Sequence, residues 1–140
     1  MKTYLFSSIL LVITSFSTAD LQAQNTYTTK HNYVVLTKKI EQLQPIILTA
    51  EALKAQEGAT FGDFQVIICG KEIGDITDVG KMDAFIKKAE KAGVHLVACG
   101  FSLNKFKVDK TKVPKQMTVV ENGILYNFQL QNRGYKSLSL

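Results

Sequence analysis

The most constraining stretch is Val94-His95-Leu96-Val97-Ala98-Cys99-Gly100, a short apolar strand that runs straight into a cysteine, a glycine and a new helix start. Its apolar residues do not alternate with polar ones, which marks a strand covered on both faces. Two further runs share this character, Tyr33 to Thr37 and Phe64 to Ile68, and the second also stops at a Cys-Gly pair, Cys69-Gly70. In an open α/β sheet the carboxyl ends of the strands are where ligands and reacting groups gather. Cys99 and Cys69 are therefore expected at one sheet edge.

Helical patterns separate these runs. Ile40, Leu43, Ile47, Ala50 and Leu53 follow a helical spacing, and a helix starting near Glu41 or Gln42 puts Pro45 in its first turn, where a missing N–H costs little. Asp78 can cap a second helix carrying Met82, Phe85, Ile86 and Ala89, with Gly93 as its C-terminal cap. Ser102 to Phe106 reads as a short helix, Asn104 to Gln116 as a lysine-bearing loop, Met117 to Val120 as a fourth strand and Tyr135 to Leu138 as a last one. Between them Asn122-Gly123 is ambiguous. Asn-Gly between apolar runs is a strong hairpin signal, but Ile124 to Arg133 also fits a helix face loosely, with Gly134 placed to end it. The alternation as a whole predicts a three-layer α/β/α domain on a mainly parallel sheet.

Ahead of the domain, Lys2, the mostly apolar run Leu5 to Phe16 and the small residues Ser17, Ala19 and Ala23 have the layout of a secretory signal peptide. Residues 1–23 are read as that signal, cleaved after Ala19 or Ala23, residues 24–32 as a flexible leader, and residues 33–140 as the domain. The run is too short to span a bilayer, so export to the periplasm or beyond is expected, with no integral membrane segment. A net charge of +5 is that of an ordinary soluble surface, and without interleaved aromatic and basic residues nucleic-acid binding is not expected.

Cys99 has the features of a reactive thiol. It lies at a strand end, precedes a helix N-terminus near Ser102, and is followed by Lys105, Lys107, Lys110, Lys112 and Lys115, each favouring the thiolate. The bland reading is that cysteine is often simply buried, and the lysines a solvated loop. Neither histidine supplies a base. His95 shares a strand face with Cys99 but lies ~13 Å away along it, and His31 falls in the leader. No Cys-x-x-Cys or His-x-x-x-His spacing suggests a metal, and the glycines near Gly70, Gly74 and Gly80 match no phosphate or dinucleotide fingerprint, so no cofactor is expected.

The segment Gly93-Val94-His95-Leu96-Val97-Ala98-Cys99-Gly100-Phe101-Ser102-Leu103 resembles the cysteine segment of the DsrE/DsrF-like family, which has the YchN-like fold. Val108-Asp109, Val113-Pro114, Val119-Val120, Gly123-Ile124, Leu130-Gln131 and Gly134-Tyr135 are similar to that family's ordered tail. The resemblance runs from about Tyr33 to the C-terminus. It implies a five-stranded parallel sheet between helices, a helix rather than a hairpin after Asn122-Gly123, and a homo- or hetero-oligomer. It also implies that Cys99 carries sulfur as a persulfide and passes it to the thiol of a partner protein. Cys69 has no counterpart in that pattern. The expected site is thus Cys99 as the reacting group, with Cys69, Gly70, Gly100, Ser102, Lys105 and Lys107 as weaker binding candidates. The alternative is a non-catalytic exported oligomeric module whose cysteines are structural or disulfide-bonded.

Overall fold

The computed structural model describes residues 29–140; the expected signal peptide and most of the leader lie outside them. Five strands, β1 (His31–Thr37), β2 (Phe61–Ile68), β3 (Val94–Cys99), β4 (Thr118–Val120) and β5 (Lys136–Ser139), form one all-parallel sheet in the order β4-β3-β2-β1-β5. Four helices connect them: α1 (Leu43–Glu57), α2 (Val79–Ala92), α3 (Gly100–Lys105) and α4 (Gly123–Asn132). The chain steps outward from β1 to β4 and then crosses back to place β5 beside β1. Because parallel crossovers are right-handed, that reversal sends α4 to the face opposite α1 and α2.

Sandwiching explains the unalternated strands. Val34 to Thr37, Val66 to Ile68 and Leu96 to Cys99 are buried residue after residue, because each face of the sheet meets a helix layer. Phe64 and Val35 pack towards Ile46 and Thr49 of α1, whereas Gln65 points the other way and accepts a hydrogen bond from Tyr126 of α4 at 2.9 Å. Burying each Ile or Val side chain of these strands stabilises the fold by about 1.5–3 kcal/mol.

Local chemistry sets the helix ends. Pro45 is the third residue of α1, inside the first turn as expected, where its N–H would have no partner anyway. Asp78 caps α2 by accepting from Lys81 N–H, and Gly93 ends it in the left-handed conformation with φ 76°. Asn122 resolves the Asn-Gly ambiguity. Its side-chain oxygen accepts the N–H groups of Ile124 and Leu125 at 3.0 and 3.2 Å, so the pair starts α4 rather than turning a hairpin.

Several boundaries differ from the sequence reading. β1 starts at His31 and β2 at Phe61, because polar residues there take strand positions: Asn32 accepts Asp63 N–H at 2.8 Å through its side chain. His31 is thus part of a strand rather than a leader. α3 starts at Gly100, not Ser102, and β5 is shifted one residue onward to Lys136–Ser139. Among the described residues no helix is long and apolar enough to cross a membrane.

Candidate functional site

The register pairs Ile68 with Ala98, so Cys69 and Cys99 are the next residues on neighbouring strands, side by side at the carboxyl edge of the sheet. Both are buried free thiols. They stand at the floor of a pocket of about 440 Å³ lined also by Leu36, Phe101, Phe106 and Ile124, with Lys38 and Lys105 contributing charge.

Backbone geometry converges on the Cys99 sulfur. Cys99 is the N-cap of α3, and the N–H of Gly123, at the start of α4, donates to its Sγ at 3.2 Å. Gly70 N–H donates to Ser102 Oγ at 3.0 Å, and the Ser102 hydroxyl is among the groups that favour the charged form of Cys99. Burial works against ionisation of Cys99. The Ser102 hydroxyl, the Gly123 N–H and the Cys69 thiol outweigh it, and the thiol is held below its ordinary range. Cys69 behaves oppositely: burial, then the charge of Cys99 and the hydrogen bond to it, push it up to about 12. The two neighbouring thiols are thus driven in opposite directions, Cys99 towards the charged form and Cys69 away from it.

Glycine is required where α4 meets the pair. A Cβ on Gly123 would lie 2.6 Å from Cys69 Sγ, 2.8 Å from Ile67 Cγ2 and 3.0 Å from Cys99 Cβ, so only a residue without a side chain lets the helix start approach both cysteines. Gly100 is similarly confined, its Cβ position lying 2.7 Å from the Val120 carbonyl oxygen.

Of the residues singled out from sequence, Cys99, Cys69, Gly70, Ser102 and Lys105 line the pocket, while Gly100 is buried in the adjoining helix turn. Lys107 does not line it; it occupies a left-handed turn residue, φ 54°, beyond α3. The lowering of Cys99 comes from hydrogen bonds rather than from the lysine run, whose nearest member, Lys105, has its ammonium 5.8 Å from the Phe106 ring centroid. The histidines stand apart, His31 Nδ1 3.2 Å from Glu57 Oε1 and His95 Nε2 3.4 Å from Asp63 Oδ1, both towards the amino ends of the strands. Among the described residues no group of three or more His, Cys, Asp or Glu side chains is placed to hold a metal ion.

Sequence reasoning missed, as site residues, Leu36 and Lys38 at and just past the end of β1, Phe101 and Phe106 in and just after α3, and Asn122, Gly123 and Ile124 at the start of α4. The first two could have been found by treating the end of Tyr33 to Thr37 as a site edge like the other two strand ends. Gly123 carried a turn signal that concealed its contact with the thiols.

Together, fold and site define a parallel α/β protein with two buried cysteines side by side at the carboxyl edge of its sheet, one of which accepts a backbone N–H. The same fold is found in a protein of unknown function, MTH1491 from Methanobacterium thermoautotrophicum, with a TM-score of 0.66 at 14% identity over 79% of this chain and 99% of that one. A conserved protein of unknown function from Bacteroides thetaiotaomicron, BT1422, gives a TM-score of 0.58 at 18% identity, covering 78% of this chain and 95% of that chain. No family model matches the chain, and no curated protein matches it.

Proposed function

We propose that the chain is an exported DsrE-like sulfur carrier in which Cys99 takes sulfur from a persulfide or polysulfide donor and holds it as a persulfide for a partner thiol. The observation that carries this reading is the Gly123 N–H directed at Cys99 Sγ at 3.2 Å, with Ser102 beside it. Such donors favour the thiolate, which is already the attacking species, so no general base is needed. Atoms balance simply: the Cys99 thiolate attacks the outer sulfur of a donor persulfide, the donor S–S bond breaks, a new S–S bond forms on Cys99, and the donor leaves as a thiolate. Lys38 and Lys105 supply attraction for an anionic donor, and the pocket gives the added sulfur room. Exposed Phe101, Phe128 and Ile124 around this edge favour an oligomer or a docked partner.

Reduced protein mixed with an alkyl persulfide tests the reading. Wild type and Cys69→Ala should each liberate the donor's thiol with uptake of its outer sulfur, and Cys99→Ala should liberate none. If Cys99→Ala reacts as fast as wild type, sulfur acceptance at Cys99 is excluded and the binding-module reading takes its place.

A further inference from the structure

Cys69 has no role in simple carriage of sulfur by Cys99, yet it lies against the reacting sulfur. Both side chains leave the same face of the sheet at successive ends of β2 and β3 and meet beneath Gly123, whose Cβ position lies 2.6 Å from Cys69 Sγ and 3.0 Å from Cys99 Cβ. Neighbouring strands are about 4.8 Å apart, within the ~4.4–6.8 Å span of Cα atoms that a disulfide bridges. Both thiols are free and both open onto the same pocket.

We infer that Cys69 and Cys99 act as a working dithiol, in which sulfur accepted on Cys99 is discharged as sulfide while the two cysteines close into a disulfide. This rests on the reading of Cys99 as the sulfur acceptor and specifies the fate of the sulfur it takes. The Cys69 sulfur attacks Cys99 Sγ, the bond between Cys99 and the added sulfur breaks, and the proton of Cys69 leaves with the departing sulfur as hydrogen sulfide. The added sulfur gains two electrons and the cysteine pair loses them. An external dithiol then opens the disulfide by exchange, is itself oxidised, and returns both thiols.

The two environments order these steps. Cys99 attacks first, being the sulfur that the helix start and Ser102 hold ready. Cys69 keeps its proton while Cys99 is charged, since part of what raises it is that neighbouring charge. Once the Cys99 sulfur is bonded to sulfur its charge is gone, and that part of the restraint on Cys69 goes with it. The donor side is therefore a low-molecular-weight persulfide or polysulfide, and the electron source a dithiol.

The test uses fully reduced protein, freed of added reductant, mixed without oxygen with one equivalent of an alkyl persulfide, then acid-quenched for intact mass with released sulfide trapped and counted. Wild type should release one equivalent of sulfide and lose two hydrogens in mass, both recovered on reduction. Cys69→Ser and Cys69→Ala, verified as folded by circular dichroism, should retain the added sulfur and release sulfide about tenfold more slowly or less. If wild type retains its added sulfur and releases sulfide no faster than the Cys69 variants, the dithiol is overturned and the carrier reading survives. If the folded Cys69 variants and wild type take up no sulfur, the carrier reading fails and the dithiol with it.

Discussion

Gly123 lies across the sheet edge from Cys99 and donates its N–H to the Cys99 sulfur at 3.2 Å, while its missing side chain leaves space for Cys69 Sγ. The contact joins the first residue of α4, in the return crossover after β4, to the last residue of β3, so the site depends on how α4 is seated. It also makes Gly123 a point where stability and reactivity can be separated from helix propensity.

Gly123→Ala is expected to destabilise the protein by about 1–3 kcal/mol through overpacking against Cys69, Ile67 and Cys99. Propensity alone predicts the reverse, since alanine is favoured over glycine inside a helix by ~1 kcal/mol. Chemical denaturation decides between them, and a midpoint above wild type would refute the close contact.

Ser102→Ala removes a hydroxyl that favours the charged form of Cys99 and leaves the Gly70 N–H without its acceptor. Alkylation of Cys99 followed against pH should show its midpoint displaced upward, with a stability loss of about 1–3 kcal/mol from the orphaned donor. Ser102→Thr, which keeps the hydroxyl, should restore most of the profile. An unmoved midpoint in Ser102→Ala would remove Ser102 from the site.

Opposite slopes of stability with pH are expected from the two thiols. Cys99 is lower in the folded state, so its contribution is complete above the unfolded thiol value of ~8.5 and is lost as pH falls through its folded value. Cys69 is raised to about 12, so its contribution is complete below ~8.5 and is lost as pH rises towards 12. Urea midpoints across pH should therefore show a shallower alkaline decline in Cys69→Ala and a shallower neutral rise in Cys99→Ala. Parallel curves for all three proteins would contradict the assignment.

Light scattering on the processed chain at micromolar concentration should give a mass above that of one copy. Phe101, which lines the pocket, and Phe128 on α4 are each 58% exposed, apolar surface that a single copy leaves in water. Phe128→Asp should lower the measured mass with little change in helix content. A wild-type protein that runs as a monomer would end the oligomer reading.

Strand and helix order was legible because burial on both faces leaves a simple trace: Val34 to Leu36 and Ile67-Ile68 cannot be amphipathic strands, and Met82, Ile86 and Ala89 cannot face water. What escaped was anything decided by tertiary contact. Asn122-Gly123 offers local chemistry for a hairpin turn as well as for the cap that starts α4, and the contact that accompanies the helix, Gly123 N–H to Cys99 Sγ, is between residues far apart in sequence. His31 looked like leader because a strand's polar amino end has no apolar pattern; its β1 position is fixed by pairing with Phe61. Lys107 looked equivalent to Lys105 in sequence, and the turn after α3 carries it away from the pocket.

The donor aimed at the Cys99 sulfur at 3.2 Å is a main-chain N–H, that of Gly123. No substitution short of proline deletes a main-chain N–H. A chain with this loop geometry can therefore exchange pocket side chains such as Leu36, Lys38 and Phe101 while that N–H stays on the Cys99 sulfur. Reactivity and recognition are encoded in different layers of the same site, and drift in one leaves the other standing.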